Sequence, residues 1–144
     1  MPRLYRLTGR GEELVKIEFH GERAGGLKHR DMIKRIVEDL RLNMGVWTWI
    51  DTGEETSMEL PDIMVVPPSG YKSLDLGRVL FIEVETRPSR DPGKIRRYIE
   101  RARKSGAHIL FVVDEKYLGY MERFGVDSVA PDGVVDAVKR ILAL

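Results

Sequence analysis

The chain of 144 residues has no cysteine, no glutamine and a single asparagine, Asn43. Without cysteine there is no disulfide, no thiolate zinc site and no cysteine nucleophile. Histidine is scarce too: His20, His29 and His108 stand singly, leaving no ligand spacing of the zinc-finger or zincin kind. No apolar run reaches the roughly 18 residues of a membrane span, and the segment Met-Pro-Arg-Leu-Tyr-Arg-Leu at the start lacks a signal-peptide core. A soluble, cytoplasmic protein with no membrane partner is expected. The formal net charge is only +1, so nucleic-acid binding would have to come from a local basic patch rather than a global field. Phosphate-binding loops are missing as well. Pro92-Gly93-Lys94 departs from the P-loop pattern, which needs glycine where Pro88 stands and serine or threonine where Ile95 stands. No Gly-x-Gly-x-x-Gly follows a strand, and there is no serine elbow. ATPase, dinucleotide-binding and serine-hydrolase readings therefore have no support.

Charge is plentiful, at 33% of residues. With abundant arginine and almost no side-chain amides, this is a thermophile's profile. The length predicts one domain able to bury a proper core. A strand at Leu4 to Leu7, a Gly9-Arg10-Gly11 turn and a strand at Leu14 to Phe19 suggest an N-terminal β-hairpin over 1–26. The residues Met32, Ile33, Ile36, Val37 and Leu40 recur at helical spacing over His29 to Leu42. At 100° per residue His29 lies about 20° from the centre of that apolar face and Glu38 about 160° away, so His29 points in and Glu38 out. Strands are predicted at Val46 to Ile50, Leu60 to Val66, Val79 to Val84 and His108 to Val113, with an acidic loop over Asp51 to Glu59. Gly93 to Lys104 reads as a helix with Ile95, Tyr98, Ile99 and Ala102 buried. A short helix (Glu115 to Phe124), a short strand (Val126 to Ala130) and a terminal helix capped by Asp132 complete an α/β pattern. Trp47 and Trp49 alternate onto one face of their strand, where core packing, base stacking or a dimer seam would each use them.

Within this frame one strand stands out. Phe81-Ile82-Glu83-Val84-Glu85-Thr86 is apolar and β-branched except for its acids, the signature of a buried strand. Alternation puts Glu83 and Glu85 on one face, about 7 Å apart. Asp62 follows Pro61 at the entry to the preceding strand, where a missing N–H is tolerated. Buried acids of this kind are costly unless a cation or hydrogen-bond donors compensate them. The three carboxylates Asp62, Glu83 and Glu85 are thus candidate ligands of one divalent cation. Plainer readings stand beside this one. Asp62 would serve as a strand-entry residue, Glu85 would reach solvent or pair with Arg87, and His29 would be a satisfied core histidine.

Pro61-Asp62 with Glu83-Val84-Glu85, on two adjacent strands after a helix, resembles the PD-(D/E)XK nuclease superfamily. The likeness runs from about Lys28 to Val113. Gly25-Gly26-Leu27-Lys28-His29 at the helix start and Ile82-Glu83-Val84-Glu85-Thr86 look like a largely archaeal branch of nuclease-like domains. The resemblance implies a restriction-endonuclease-like fold, a central mixed β-sheet flanked by helices, with the nuclease-like core over 27–113 and a C-terminal α/β extension over 114–144. It implies a Mg²⁺- or Mn²⁺-dependent phosphodiesterase acting on nucleic acid, DNA in preference to RNA, with Asp62, Glu83 and Glu85 as metal ligands and His29 as a further site residue. Glu85 stands where the family's motif has lysine. Arg87 on the same strand, or Lys94 on the next helix, would supply the missing positive charge. A domain of this size that cuts both strands would act as a homodimer.

The second marked feature is basic. From Arg87 to Lys104 there are eight cationic residues against Asp91 and Glu100, and phosphate backbones bind such surfaces without regard to sequence. Arg90, Lys94, Arg97 and Arg101 are the candidate nucleic-acid contacts. A solvated, ion-paired helix is the alternative. The competing functional reading is a catalytically inactive nuclease-fold module that binds nucleic acid or a protein partner.

Overall fold

The computed structural model describes residues 3–6, 26–44, 46–50, 60–67 and 79–143. Among these, six strands and four α-helices follow in order: β1 (Arg3–Arg6), α1 (Leu27–Asn43), β2 (Trp47–Ile50), β3 (Ile63–Val66), β4 (Leu80–Glu85), α2 (Pro92–Ser105), β5 (His108–Val113), α3 (Leu118–Met121), β6 (Asp127–Val129) and α4 (Val134–Leu142). The strands form one mixed sheet in the order β1-β2-β3-β4-β5-β6. Its first four strands are an antiparallel meander, and β5 and β6 join in parallel. Parallel neighbours need a crossover, and α2 supplies the one between β4 and β5.

Strand alternation sorts the core into two layers of contact. Leu80, Ile82 and Val84 of β4, with Leu110 and Val112 of β5, pack against Ile33, Ile36 and Leu40 of α1 and Val134 and Val138 of α4. The opposite face belongs to α2 and α3: Phe81 meets Ala102, and Phe111 and Val113 meet Ile95 and Met121. Both sheet faces are covered, which is why β4 and β5 read as continuous apolar runs. The arrangement is three-layered, helices on each side of a mixed sheet, as the α/β pattern predicts.

Helix α2 carries much of the site and is held at both ends. Pro92 takes the first helical position, where its missing N–H is harmless, and Asp91 accepts a hydrogen bond from the Lys94 N–H at 3.1 Å. Gly106 closes the helix with φ 72°, a conformation that glycine adopts without penalty. Removing the cap by Asp91→Ala is expected to destabilise the fold by about 1 kcal/mol. Urea unfolding would show this as a lower midpoint at unchanged slope; an unchanged midpoint would mean the cap contributes nothing.

Several expectations are adjusted. Strand β3 begins at Ile63, leaving Pro61 and Asp62 just outside it. The terminal helix is not capped by Asp132. A short 3₁₀ turn over Pro131–Gly133 intervenes, Gly133 takes the cap position, and Asp132 instead pairs with Arg35 of α1. The segment Glu115 to Phe124 is a run of helical turns, with only Leu118–Met121 fully α-helical. The expected strand at Leu14 to Phe19, and with it the 1–26 hairpin, and the acidic loop over Asp51 to Glu59 lie outside the described residues. The backbones of Trp47 and Trp49 belong to β2, while their side chains fall outside the description.

Candidate functional site

The carboxyl end of β4 brings the nominated acids together. Residues Glu83 and Glu85 lie on the α2 side of the sheet, 1% and 8% exposed. They share that face with Phe81 because side chains alternate. Antiparallel pairing of Ile63 with Ile82 sets Asp62 beside the same end of β4. The ladder of β3 stops there, and the Asp62 side chain continues it: the Val84 N–H donates to Asp62 Oδ2 at 2.8 Å, and the Asp62 N–H donates to Glu83 Oε1 at 2.9 Å. Hydrogen bonds to charged groups contribute about 1.5–3 kcal/mol each, so this lock explains how a carboxylate can sit at a strand entry. The reading of Asp62 as a strand-entry residue is thus realised, in the same place as the proposed site. His29, in the first turn of α1, brings Nε2 to 3.2 Å from Asp62 Oδ2. The inward orientation given by its helical phase is what makes this contact possible across 33 residues of sequence.

Cations come from α2. Lys94 Nζ stands 3.3 Å from Glu85 Oε1, and Arg101 Nη2 donates to Glu83 Oε2. Tyr98 lies between them, with Lys94 Nζ 5.6 Å and the Arg101 guanidinium 4.8 Å from its ring centre. Residues 94, 98 and 101 fall at i, i+4 and i+7, a single helix face. That spacing is visible in the sequence. It is masked by the basic residues around it, which make the whole segment look like one charged surface.

The nominated residues divide accordingly. Asp62, Glu83, Glu85 and His29 are neighbours at this end of β4, linked pairwise rather than around one point, and Lys94 joins them at Glu85. Arg87 does not: β4 ends at Glu85, the chain turns, and Arg87 is exposed at the entry to a 3₁₀ turn. Its place on the strand face required the strand to continue. Arg90 and Arg97 are exposed, whereas Arg101 is turned onto Glu83. Glu38 is exposed, as its helical phase requires.

Burial dominates the electrostatics of the site. Burial raises the Glu83 carboxyl well above its ordinary range, the Asp62 charge adds to this, and Arg101 only partly offsets it. Burial likewise raises Glu85, against the pull of Lys94. Burial first, and then the acids, push the Tyr98 hydroxyl up as well. A hard divalent cation suits such a donor set in chemistry and charge. Geometry is more selective. Among the described residues, Asp62 Oδ1 and Glu85 Oε2 accept no hydrogen bond, while both oxygens of Glu83 are engaged. No three acidic or histidine side chains among the described residues converge on a common point as they stand. Each Glu83 oxygen accepts one donor, the Asp62 N–H or Arg101, and keeps a second lone pair.

These shifts carry a pH dependence. Above the ordinary carboxyl value of 4.5, the folded chain holds protons on Glu83 and Glu85 that the unfolded chain has released. That contribution to stability is complete below the ordinary value and is lost as pH rises through the raised ones. In EDTA, thermal unfolding is therefore expected at lower temperature as pH climbs from 4.5 toward neutrality. Glu83→Gln should flatten the trend, and an unfolding temperature rising with pH in both proteins would contradict the assignment.

Among the described residues, no helix is long and apolar enough to cross a membrane. Comparison of the chain with protein-family models, with curated proteins and with solved structures finds no match in any of the three.

Proposed function

We propose that this chain is a restriction-endonuclease-like domain of the PD-(D/E)XK type that hydrolyses phosphodiester bonds in DNA with the help of Mg²⁺ or Mn²⁺. The observation that carries the reading is the gathering of Asp62, Glu83 and Glu85 at the carboxyl end of β4, beside the Lys94 ammonium. Asp62 and Glu85 would hold the ion through their free oxygens, with Glu83 completing the set. A bound divalent ion supplies an activated water and neutralises charge on the phosphate. The chain's own groups do the rest. Lys94, placed beside Glu85, provides the positive charge that the family's motif lysine provides from the strand. His29 orients Asp62 through its 3.2 Å contact. The exposed Arg90 and Arg97 offer salt-sensitive contacts to the phosphate backbone.

One observation favours a second reading, a catalytically inactive module that binds nucleic acid. Glu83 is already satisfied by the Asp62 N–H and Arg101, so the acids are held without any metal. Cleavage of labelled single-stranded, duplex and branched DNA at elevated temperature, with Mg²⁺, Mn²⁺ or EDTA, separates the two. Cutting that requires metal supports the nuclease. Absence of cutting on every substrate, with salt-sensitive DNA binding unchanged in EDTA, would leave the inactive module.

A further inference from the structure

Helix α2 carries cations on two flanks. At 100° per residue Arg96 lies about 160° round the helix from Tyr98, on the flank away from Lys94 and Arg101. It stands beside the helical turns of Glu115 to Phe124, whose Tyr120 and Phe124 pack into the same apolar cluster as Ile95. There the Arg96 guanidinium lies 5.5 Å from the ring centre of Phe124. Phe124 meets Tyr120 edge-on, with ring centres 5.7 Å apart, and the Arg123 guanidinium lies over Tyr120, 4.0 Å from its ring centre. The four side chains form a continuous row of cation, ring, ring and cation. Both arginines are exposed and both rings half-buried.

These arginines answer no acid. Glu100 is taken by Arg103, and among the described residues neither Arg96 nor Arg123 has a carboxylate within ion-pair reach. Arg123 donates through Nε to the Tyr120 carbonyl at 3.0 Å, and among the described residues its two Nη groups have no acceptor. Aromatic faces hold a guanidinium in place without neutralising it. Its in-plane N–H groups remain for phosphate oxygens. Its outer face is a flat surface of the kind on which unpaired bases stack. A duplex offers phosphates to such a row but shows only the edges of its bases.

We propose that the row of Arg96, Phe124, Tyr120 and Arg123 binds unpaired nucleic-acid strands, its guanidiniums stacking on bases and reaching phosphates, on a surface separate from the acids at the end of β4. This rests on the nucleic-acid reading proposed above and names the form of nucleic acid that the chain holds. Arg97, exposed and about 100° round the helix from both Arg96 and Tyr98, continues the positive path across α2 between the row and those acids.

The test is fluorescence-anisotropy binding of labelled single-stranded and duplex oligonucleotides to the full chain in EDTA, at low and high salt. The forms compared are the wild type, the double variant Arg96→Lys, Arg123→Lys and the double variant Arg96→Gln, Arg123→Gln. Lysine keeps the charge and loses the plane. The lysine variant is therefore expected to bind single strands about tenfold more weakly, the scale of one stacked base, with duplex affinity and salt dependence nearly unchanged. The glutamine variant should lose at least as much on single strands, and its salt dependence should fall with the phosphate contacts. Thermal unfolding of the same preparations checks that the fold is kept; should a double variant lose it, the single Arg123→Lys carries the same comparison. Unchanged single-strand affinity in the lysine variant overturns the proposal. So does equal weakening on both nucleic acids, which marks a merely charged surface, and so does displacement of the strand by poly-glutamate as readily as by an unlabelled strand, which marks a site for acidic peptides. Metal-dependent DNA cleavage beside an unaffected lysine variant leaves the nuclease standing and removes the row. Weakened single-strand binding in a chain that cuts no substrate keeps the row and removes the nuclease, and a wild type that binds neither nucleic acid overturns both.

Discussion

The double substitution Asp62→Asn, Glu83→Gln is expected to reduce metal-dependent DNA cleavage by on the order of 10³-fold or more, while leaving the fold in place. Metal and oxyanion-stabilising groups act on charge that develops in the transition state, and removing even one such group typically lowers rate by about 10²–10³-fold. If Asp62 and Glu83 hold one ion, as proposed, they act as a unit and their losses do not simply multiply. The amides are chosen because Asp62 has a second task. Its side chain accepts the Val84 N–H at 2.8 Å, and alanine would leave a buried donor without a partner, at about 1–3 kcal/mol. Asparagine keeps an oxygen there while losing the negative charge. Glu83→Gln removes a carboxyl that burial already drives toward its neutral form. Single-turnover cleavage, compared with thermal unfolding of the same preparations, checks both halves. Full activity in the double variant would remove these residues from the chemistry.

Lys94→Met is expected to lower cleavage by about 10²-fold, and Arg87→Met to leave it nearly unchanged. The contrast follows from position. Lys94 projects from the first turn of α2 to within 3.3 Å of Glu85, whereas Arg87 stands exposed beyond the end of β4. Under the proposed nuclease reading Lys94 would stand beside the reacting phosphate, and removing a preorganised cation from such a place falls in the range seen for single electrostatic contacts. Lys94→Arg should recover part of the loss, because the charge is kept while its shape and hydration change. A rate unaffected by Lys94→Met, or a loss of equal size from Arg87→Met, would show that the helix does not stand in for the strand lysine.

These two predictions also mark where the chain's local pattern stops being informative. Apolar periodicity in α1 and the near-continuous apolar runs of β4 and β5 reflect burial against neighbouring layers, and both are legible because the periods of 3.6 and 2 are local properties of the backbone. The same rules put His29 on the inner face of α1 and Glu83 with Glu85 on one face of β4. An acid within so apolar a strand stands out, since its burial needs compensation from somewhere.

Periodicity says that two residues share a face, but not which layer covers it. That Glu83 and Glu85 look toward α2 rather than α1, and so meet Lys94 and Arg101, depends on the crossover between β4 and β5. The reach of Asp62 to Val84 depends on the antiparallel register of β3 with β4, and that of His29 to Asp62 on how α1 docks against the sheet. Arg101 illustrates the limit most clearly. In the sequence it is one of eight cations from Arg87 to Lys104, alike in charge to those that remain exposed. Composition and local spacing by themselves determined the kinds of element, the inward faces and the presence of buried acids. Only the tertiary structure decided which cation answers which acid, because that pairing is set by contacts between residues distant in the chain, which no local period encodes.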